Sequence, residues 1–99
     1  MKKSPPEETV NRSYLSKKDI SHLPEKSGVY FLYQESGILV YIGKALYLSK
    51  RVPKHDLDKD YSYLAYELCH WSRARVREKE LITLYKREHG QLPYYNKVS

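Results

Sequence analysis

Two short apolar runs, VYFLY at residues 29–33 and ILVYI at residues 38–42, are separated only by QESG. β-Branched and aromatic residues at this density favour strands, and a short polar turn with a glycine at position 37 joins strands antiparallel. The centre of the chain is therefore expected to be a β-hairpin. With 99 residues the chain has room for one domain and a modest core around that hairpin.

The flanking segments complete the expectation. Gly43 ends the second run, and KALYLSKRV follows with Ala45, Leu48 and Val52 spaced for one face of a short helix that Pro53 closes. Lys44, Tyr47 and Arg51 fall three and four residues apart and would share another face of it. PKHDLDKD reads as a charged loop. YSYLAYELCHW reads as a third strand, with Leu64, Tyr66 and Leu68 on one side. Ser72 is placed to cap a long helix running to about His89, with Val76, Leu81, Leu84 and Tyr85 as its apolar stripe and Gly90 as its left-handed C-terminus. Upstream, LSKKDISHLP suits a short helix stopped before Pro24, and residues 1–15, which contain SPPEE, read as a flexible tail. The expected domain spans residues 16–99. Its fold class is α+β, an α/β sandwich in which a small three-stranded, mostly antiparallel sheet is flanked by helices in the order β-β-α-β-α.

Composition narrows the function. No apolar run approaches the roughly 18 residues of a membrane span, and MKKSPPEETV lacks the apolar stretch of a secretory signal. The single cysteine, Cys69, excludes an internal disulfide and reads as a small core residue. A cytoplasmic location is the default expectation. A net charge of +6 attracts polyanions, nucleic acid first among them. Eleven tyrosines against one phenylalanine leave many hydroxyls that need partners.

The hairpin places Tyr30 and Tyr41 on adjacent strands, close to Lys44 and Arg51. Nearby positive charge favours a phenolate, so such a tyrosine could serve as a base. An arginine can fork onto phosphate oxygens and stabilise charge developing at phosphorus. Glu78, beside the core-facing Leu81 and Ile82, lies at the border of packed and wet surface. One carboxylate with waters and a substrate phosphate suits Mg²⁺.

GVY at residues 28–30 and YIG at residues 41–43 resemble the signature of the GIY-YIG nuclease family, and the likeness continues in YIGKALYLSKR, EKELI and LPYYN. It runs from about Leu23 to Asn96 with its motifs in the family's order. The resemblance implies a small mixed sheet flanked by helices and a metal-dependent endonuclease that hydrolyses DNA phosphodiester bonds with Mg²⁺ or Mn²⁺. It implies Tyr30 or Tyr41 as general base, with Tyr30 preferred, and Lys44 to lower the phenol's pKa or hold phosphate. Arg51 would stabilise the transition state, Glu78 would hold the metal, and Asn96 would brace the site. His55 follows Arg51 by four residues, as a histidine does in the homing and restriction branches, and could protonate the leaving oxygen or bind phosphate. LPEKSGVY and YIGKALYLSKR read closer to the excision-repair branch.

Gly28 and Gly43 are expected to be structural. Lys44, Tyr47, Lys50, Arg51, Lys54, Arg73 and Arg75 are the expected nucleic-acid contacts. DNA is the expected partner, with a homodimer or a targeting protein as a further possibility. The alternative is an inactive nucleic-acid-binding module of the same fold, which would be expected to have lost at least one of Tyr30, Tyr41, Arg51, Glu78 and Asn96; all are present.

Overall fold

The computed structural model describes residues 14–97. The hairpin forms where its two runs dictate. β2 (Gly28–Tyr33) and β3 (Leu39–Ala45) pair antiparallel, with Tyr30 opposite Gly43 and Leu32 opposite Tyr41. In the turn, the Gly37 N–H donates to the Gln34 carbonyl at 2.8 Å, and Gly37 takes a φ of 91°, which a side chain would resist.

β4 (Tyr63–Leu68) pairs antiparallel with the other edge of β2, and β1 (Leu15–Ser16) pairs antiparallel with β4. The sheet therefore has four strands in the order β1-β4-β2-β3, where the sequence led us to expect three. The expected tail over 1–15 lies outside the described residues at 1–13, while Leu15 pairs with Leu64 at its other end. A strand of two residues has no periodicity to read, and its existence depends on β4 offering a free edge.

Every residue of β2 is buried because the central strand is covered on both faces. Val29, Phe31 and Tyr33 pack with Ile42, Leu81 and Tyr85 under the long helix α2 (Trp71–His89). Tyr30 and Leu32 pack on the opposite face with Leu23, Leu48, Val52 and Tyr61, under the shorter helical segments. These are a 3-10 turn over Lys17–His22, α1 (Leu48–Arg51), its 3-10 continuation Val52–Leu57, and the terminal α3 (Tyr94–Lys97), which contacts β3.

Five local expectations are corrected. β3 persists through Ala45, so Lys44 projects from a strand and does not share a helix face with Tyr47 and Arg51. Pro53 sits in the first turn of the 3-10 segment, where a missing N–H costs nothing, so the chain continues helically through what read as a charged loop and buries His55 there. The cap of α2 is His70, whose Nδ1 accepts from the Ser72 N–H at 3.2 Å; Ser72 is already inside the helix.

The buried stripe of α2 is Ala74, Leu81 and Tyr85, and Val76 is 55% exposed. Val76 stands two residues from Ala74, about 200° round the helix, so it cannot share that face. Leu68 lies on the same face of β4 as Leu64 but is 49% exposed, because it is at the strand's end.

Candidate active site

The site is built around a glycine that two aromatic rings cover. A Cβ at Gly43 would lie 2.6 Å from both the Tyr30 Cζ and the Tyr41 Cε2, and 2.7 Å from the Tyr30 Oη. Tyr30 reaches Gly43 from directly across the hairpin, and Tyr41 precedes Gly43 by two residues on the same strand face. Only the absence of a side chain lets both phenols lie there. Gly28 is glycine for a different reason, since its Cβ would collide with the Glu67 carbonyl of β4.

His55 completes an aromatic cluster, with ring centroids 5.6 Å from Tyr30 and 5.2 Å from Tyr41. It is 3% exposed, and its Nε2 lies 2.6 Å from the Tyr30 Oη. Its Nδ1 faces the Asp58 Oδ1 at 3.4 Å. A carboxylate can only accept, which favours the tautomer with the ring proton on Nδ1 and leaves the Nε2 lone pair to accept from the Tyr30 hydroxyl. The other oxygen of Asp58 accepts from the Lys59 ammonium at 3.2 Å. Lys59 stands 4.7 Å over the Tyr41 ring and 5.5 Å from that of Tyr95.

Tyr41, His55, Asp58, Lys59 and Tyr95 line a cleft of about 620 Å³ together with Arg51, Lys54 and Tyr94, and Tyr30 lies buried behind them. Asp58, Lys59, Tyr94 and Tyr95 were not singled out from the sequence. HDLDKD looked like solvated charge, and the only signal for Asp58 was its position three residues after a histidine whose burial the sequence does not display.

The electrostatics overturn one expectation. Burial raises the Tyr30 phenol far above its usual range, and Tyr41 adds to the rise; the Arg51 guanidinium works against both without prevailing. Tyr41 is also raised, by burial first and by the Glu78 charge second. The cations therefore do not make either phenol acidic, because desolvation penalises the phenolate more than Arg51 favours it. His55 is shifted the other way. Burial first and Lys59 second lower its pKa, while Asp58 opposes them, so the imidazole is kept neutral and able to accept a proton.

Glu78 comes from the opposite layer. It projects from α2 towards the outer edge of β3, where its Oε1 lies 3.8 Å from the Lys44 Nζ. Burial raises its pKa and Lys44 opposes the rise. Its charge is felt at both Tyr41 and Tyr30, although Glu78 lines a neighbouring groove with Lys44 and Arg75 and not the cleft itself. Among the described residues no group of three or more His, Cys, Asp or Glu side chains is arranged to hold a metal. A half-buried carboxylate suits a cation that keeps most of its water, as Mg²⁺ does, and does not suit a closed zinc site.

Asn96 braces β3 directly. Its Oδ1 accepts from the Ile42 N–H at 2.9 Å and its Nδ2 donates to the Ile42 carbonyl at 3.0 Å, so the side-chain amide pairs with the strand's outer edge between Tyr41 and Gly43. Of the remaining expected nucleic-acid contacts, Lys54 lines the cleft and Arg75 lies with Lys44 and Glu78 in the neighbouring groove. Lys50 reaches over the Tyr47 ring at 5.1 Å, and the charge of Arg73 is felt at Cys69.

No family model matches the chain. Among solved structures, it is similar to the N-terminal GIY-YIG endonuclease domain of UvrC from Thermotoga maritima bound to its catalytic divalent cation, magnesium. The identity is 27%, the TM-score 0.63, and the match covers 80% of this chain and 92% of that one. The chain has the fold of a GIY-YIG domain.

A cation-bound point mutant of the same Thermotoga domain matches with a TM-score of 0.63 at 26% identity, covering 80% of this chain and 92% of that one. A curated relative, the UvrABC system protein C of Bartonella quintana (strain Toulouse), is 42% identical over 43 residues, which is 43% of this chain. The matched segment spans only 6% of that relative's length. On this fold the two signature tripeptides lie on β2 and β3, and the hairpin register sets Tyr30 against Gly43. No described helix is long and apolar enough to cross a membrane.

Proposed function

We propose that the chain is a metal-dependent endonuclease that hydrolyses DNA phosphodiester bonds in the cleft between the hairpin and the α1 segment. The likeness to magnesium-bound UvrC endonuclease domains supports the reaction class. The observation that carries the reading for this chain is the 2.6 Å contact between the Tyr30 hydroxyl and the His55 Nε2.

A phenol as protonated as Tyr30 is a poor base alone, but it can pass a proton. The nucleophilic water would pass its proton through the Tyr41 hydroxyl, which lines the cleft, to the buried Tyr30 Oη as the phenolic proton moves to the His55 Nε2. The new bond forms between the water oxygen and phosphorus, the bond from phosphorus to the leaving 3′-oxygen breaks, and that oxygen takes a proton from solvent. His55 thus acts as an acceptor in this reading, not as the proton donor to the leaving group. Asp58 steadies the tautomer that leaves Nε2 free to accept, and Arg51 holds the phosphate and the charge that develops on it. Tyr41 packs against both rings and fixes Tyr30, while Asn96 holds the strand that carries Tyr41 and Gly43. Lys44 and Glu78 stand at the metal-binding edge; Glu78 would hold the cation, which supplies neutralisation of charge at the scissile phosphate.

Nicking of supercoiled plasmid with Mg²⁺ or Mn²⁺, beside Glu78→Gln and Arg51→Ala, tests the reading. The unmodified chain is expected to nick and both variants to lose at least about a hundredfold in rate, the scale on which transition-state charge stabilisers act. Equal nicking by all three identifies a contaminant. Binding without nicking by the unmodified chain makes it an inactive module.

A further inference from the structure

Beyond the end of the hairpin, sharing no lining residue with the cleft, lies an open groove of about 780 Å³. Its walls are apolar side chains left in solvent: Leu46 is 59% exposed, Tyr47 45%, Leu68 49% and Trp71 62%. A patch of this kind on so small a domain marks a binding surface.

The rim identifies the occupant. Lys26 lines the groove, the Lys50 ammonium sits 5.1 Å above the Tyr47 ring, and the charge of Arg73 is felt at Cys69 in the groove wall. The carboxylates nearby are already engaged, Glu25 with Lys50 at 3.4 Å and Glu67 with Arg77 at 2.7 Å. Flat aromatic faces within a cationic rim suit a ligand that is both planar and anionic. That is the arrangement by which unpaired bases are stacked while the backbone is tracked by charge. The position agrees. Tyr47 caps α1 and Arg51 ends it, so groove and cleft are joined by a single turn, about 6 Å along the axis.

We infer that the groove stacks an unpaired base of the substrate strand one or a few nucleotides from the phosphate held in the cleft, so that the preferred DNA carries unpaired nucleotides beside the cut. The inference rests on the nucleic-acid part of the proposed function and not on the hydrolytic step. Trp71 is the chain's one tryptophan, so it reports on its own surface.

The experiment is a titration of Trp71 fluorescence without divalent metal, using a short oligothymidylate and an oligomer of equal length and charge whose central sugars lack bases. Saturable quenching by the first and much weaker quenching by the second is expected. Trp71→Ala should weaken oligothymidylate binding, measured by anisotropy of a labelled strand, by about fivefold to a hundredfold, and Trp71→Phe should restore most of it. Equal quenching by both oligomers overturns the inference in favour of phosphate contact alone. A concentration-dependent emission shift without DNA overturns it in favour of a second copy of the chain. Quenching in a protein that does not nick plasmid leaves the groove assignment standing and removes the hydrolytic reading; nicking without quenching does the reverse.

Discussion

Replacing Tyr30 by phenylalanine tests the Tyr30–His55 pair without disturbing the packing around it. The ring stays, so no cavity forms beside Gly43, and the change is confined to one hydroxyl. That hydroxyl is fully buried and donates to a histidine that is 3% exposed. Deleting it removes one hydrogen bond and strips the donor from a buried acceptor, which costs about 1–3 kcal/mol in comparable cases. For a domain of this size the expected fall in Tm is about 4–24 °C. The assay is thermal unfolding followed by circular dichroism at neutral pH, with His55→Leu and the double variant alongside. Once His55 is gone the hydroxyl has lost its acceptor, so the two changes should be non-additive by about 0.5–3 kcal/mol. Tyr30→Phe melting within about a degree of the parent, with strictly additive variants, would refute the pair and the relay built on it.

Three further outcomes are expected. Gly43→Ala forces a methyl against the Tyr30 and Tyr41 rings at 2.6 Å, and since Gly43 has no positive φ the cost is wholly steric, about 1–3 kcal/mol by urea unfolding with a loss of nicking. Asn96→Ala removes both bonds to Ile42 and should cost about 1–3 kcal/mol, and Asn96→Asp should recover little because the Ile42 carbonyl still lacks its donor. His55 has its pKa lowered in the fold from 6.5, so the unfolded chain takes up the proton first. Its contribution to stability is therefore complete above the unfolded value and is lost as pH falls through the folded one. The acid limb of nicking should likewise lie below pH 6.5, and Asp58→Asn should move it lower still, because the carboxylate is what holds the imidazole's pKa up. A limb that does not move in a pH–rate profile of Asp58→Asn shows that Asp58 does not act on His55.

Much of the fold was legible because its signals are local. VYFLY and ILVYI declare strands by residue type, and Gly37 and Gly90 stand where positive φ values of 91° and 78° occur. The misreadings have one cause in common. Val76 was assigned to the core because it is apolar, yet burial on α2 is decided by which side of the helix meets β2 and Ile42. Lys44 was assigned to a helix because its spacing allowed it, yet pairing with Val29 keeps it in β3. Local pattern states what a segment tolerates, and the partner across the interface selects among the tolerated states.

The site divides along the same line. Chemical type and spacing marked Tyr30, Tyr41, Lys44, Arg51 and Glu78 as candidates, since a phenol, a cation and a carboxylate are properties of single residues, and the resemblance to the GIY-YIG family added His55 and Asn96. Which of them touch, and which way a proton can run, came only from tertiary structure. The 3-10 segment turns His55 inward onto Tyr30, and the sheet's two covered faces bury that pair. Desolvation depends on everything that surrounds a group, so no order of residues along the chain could show that the phenol would be held protonated and the imidazole neutral.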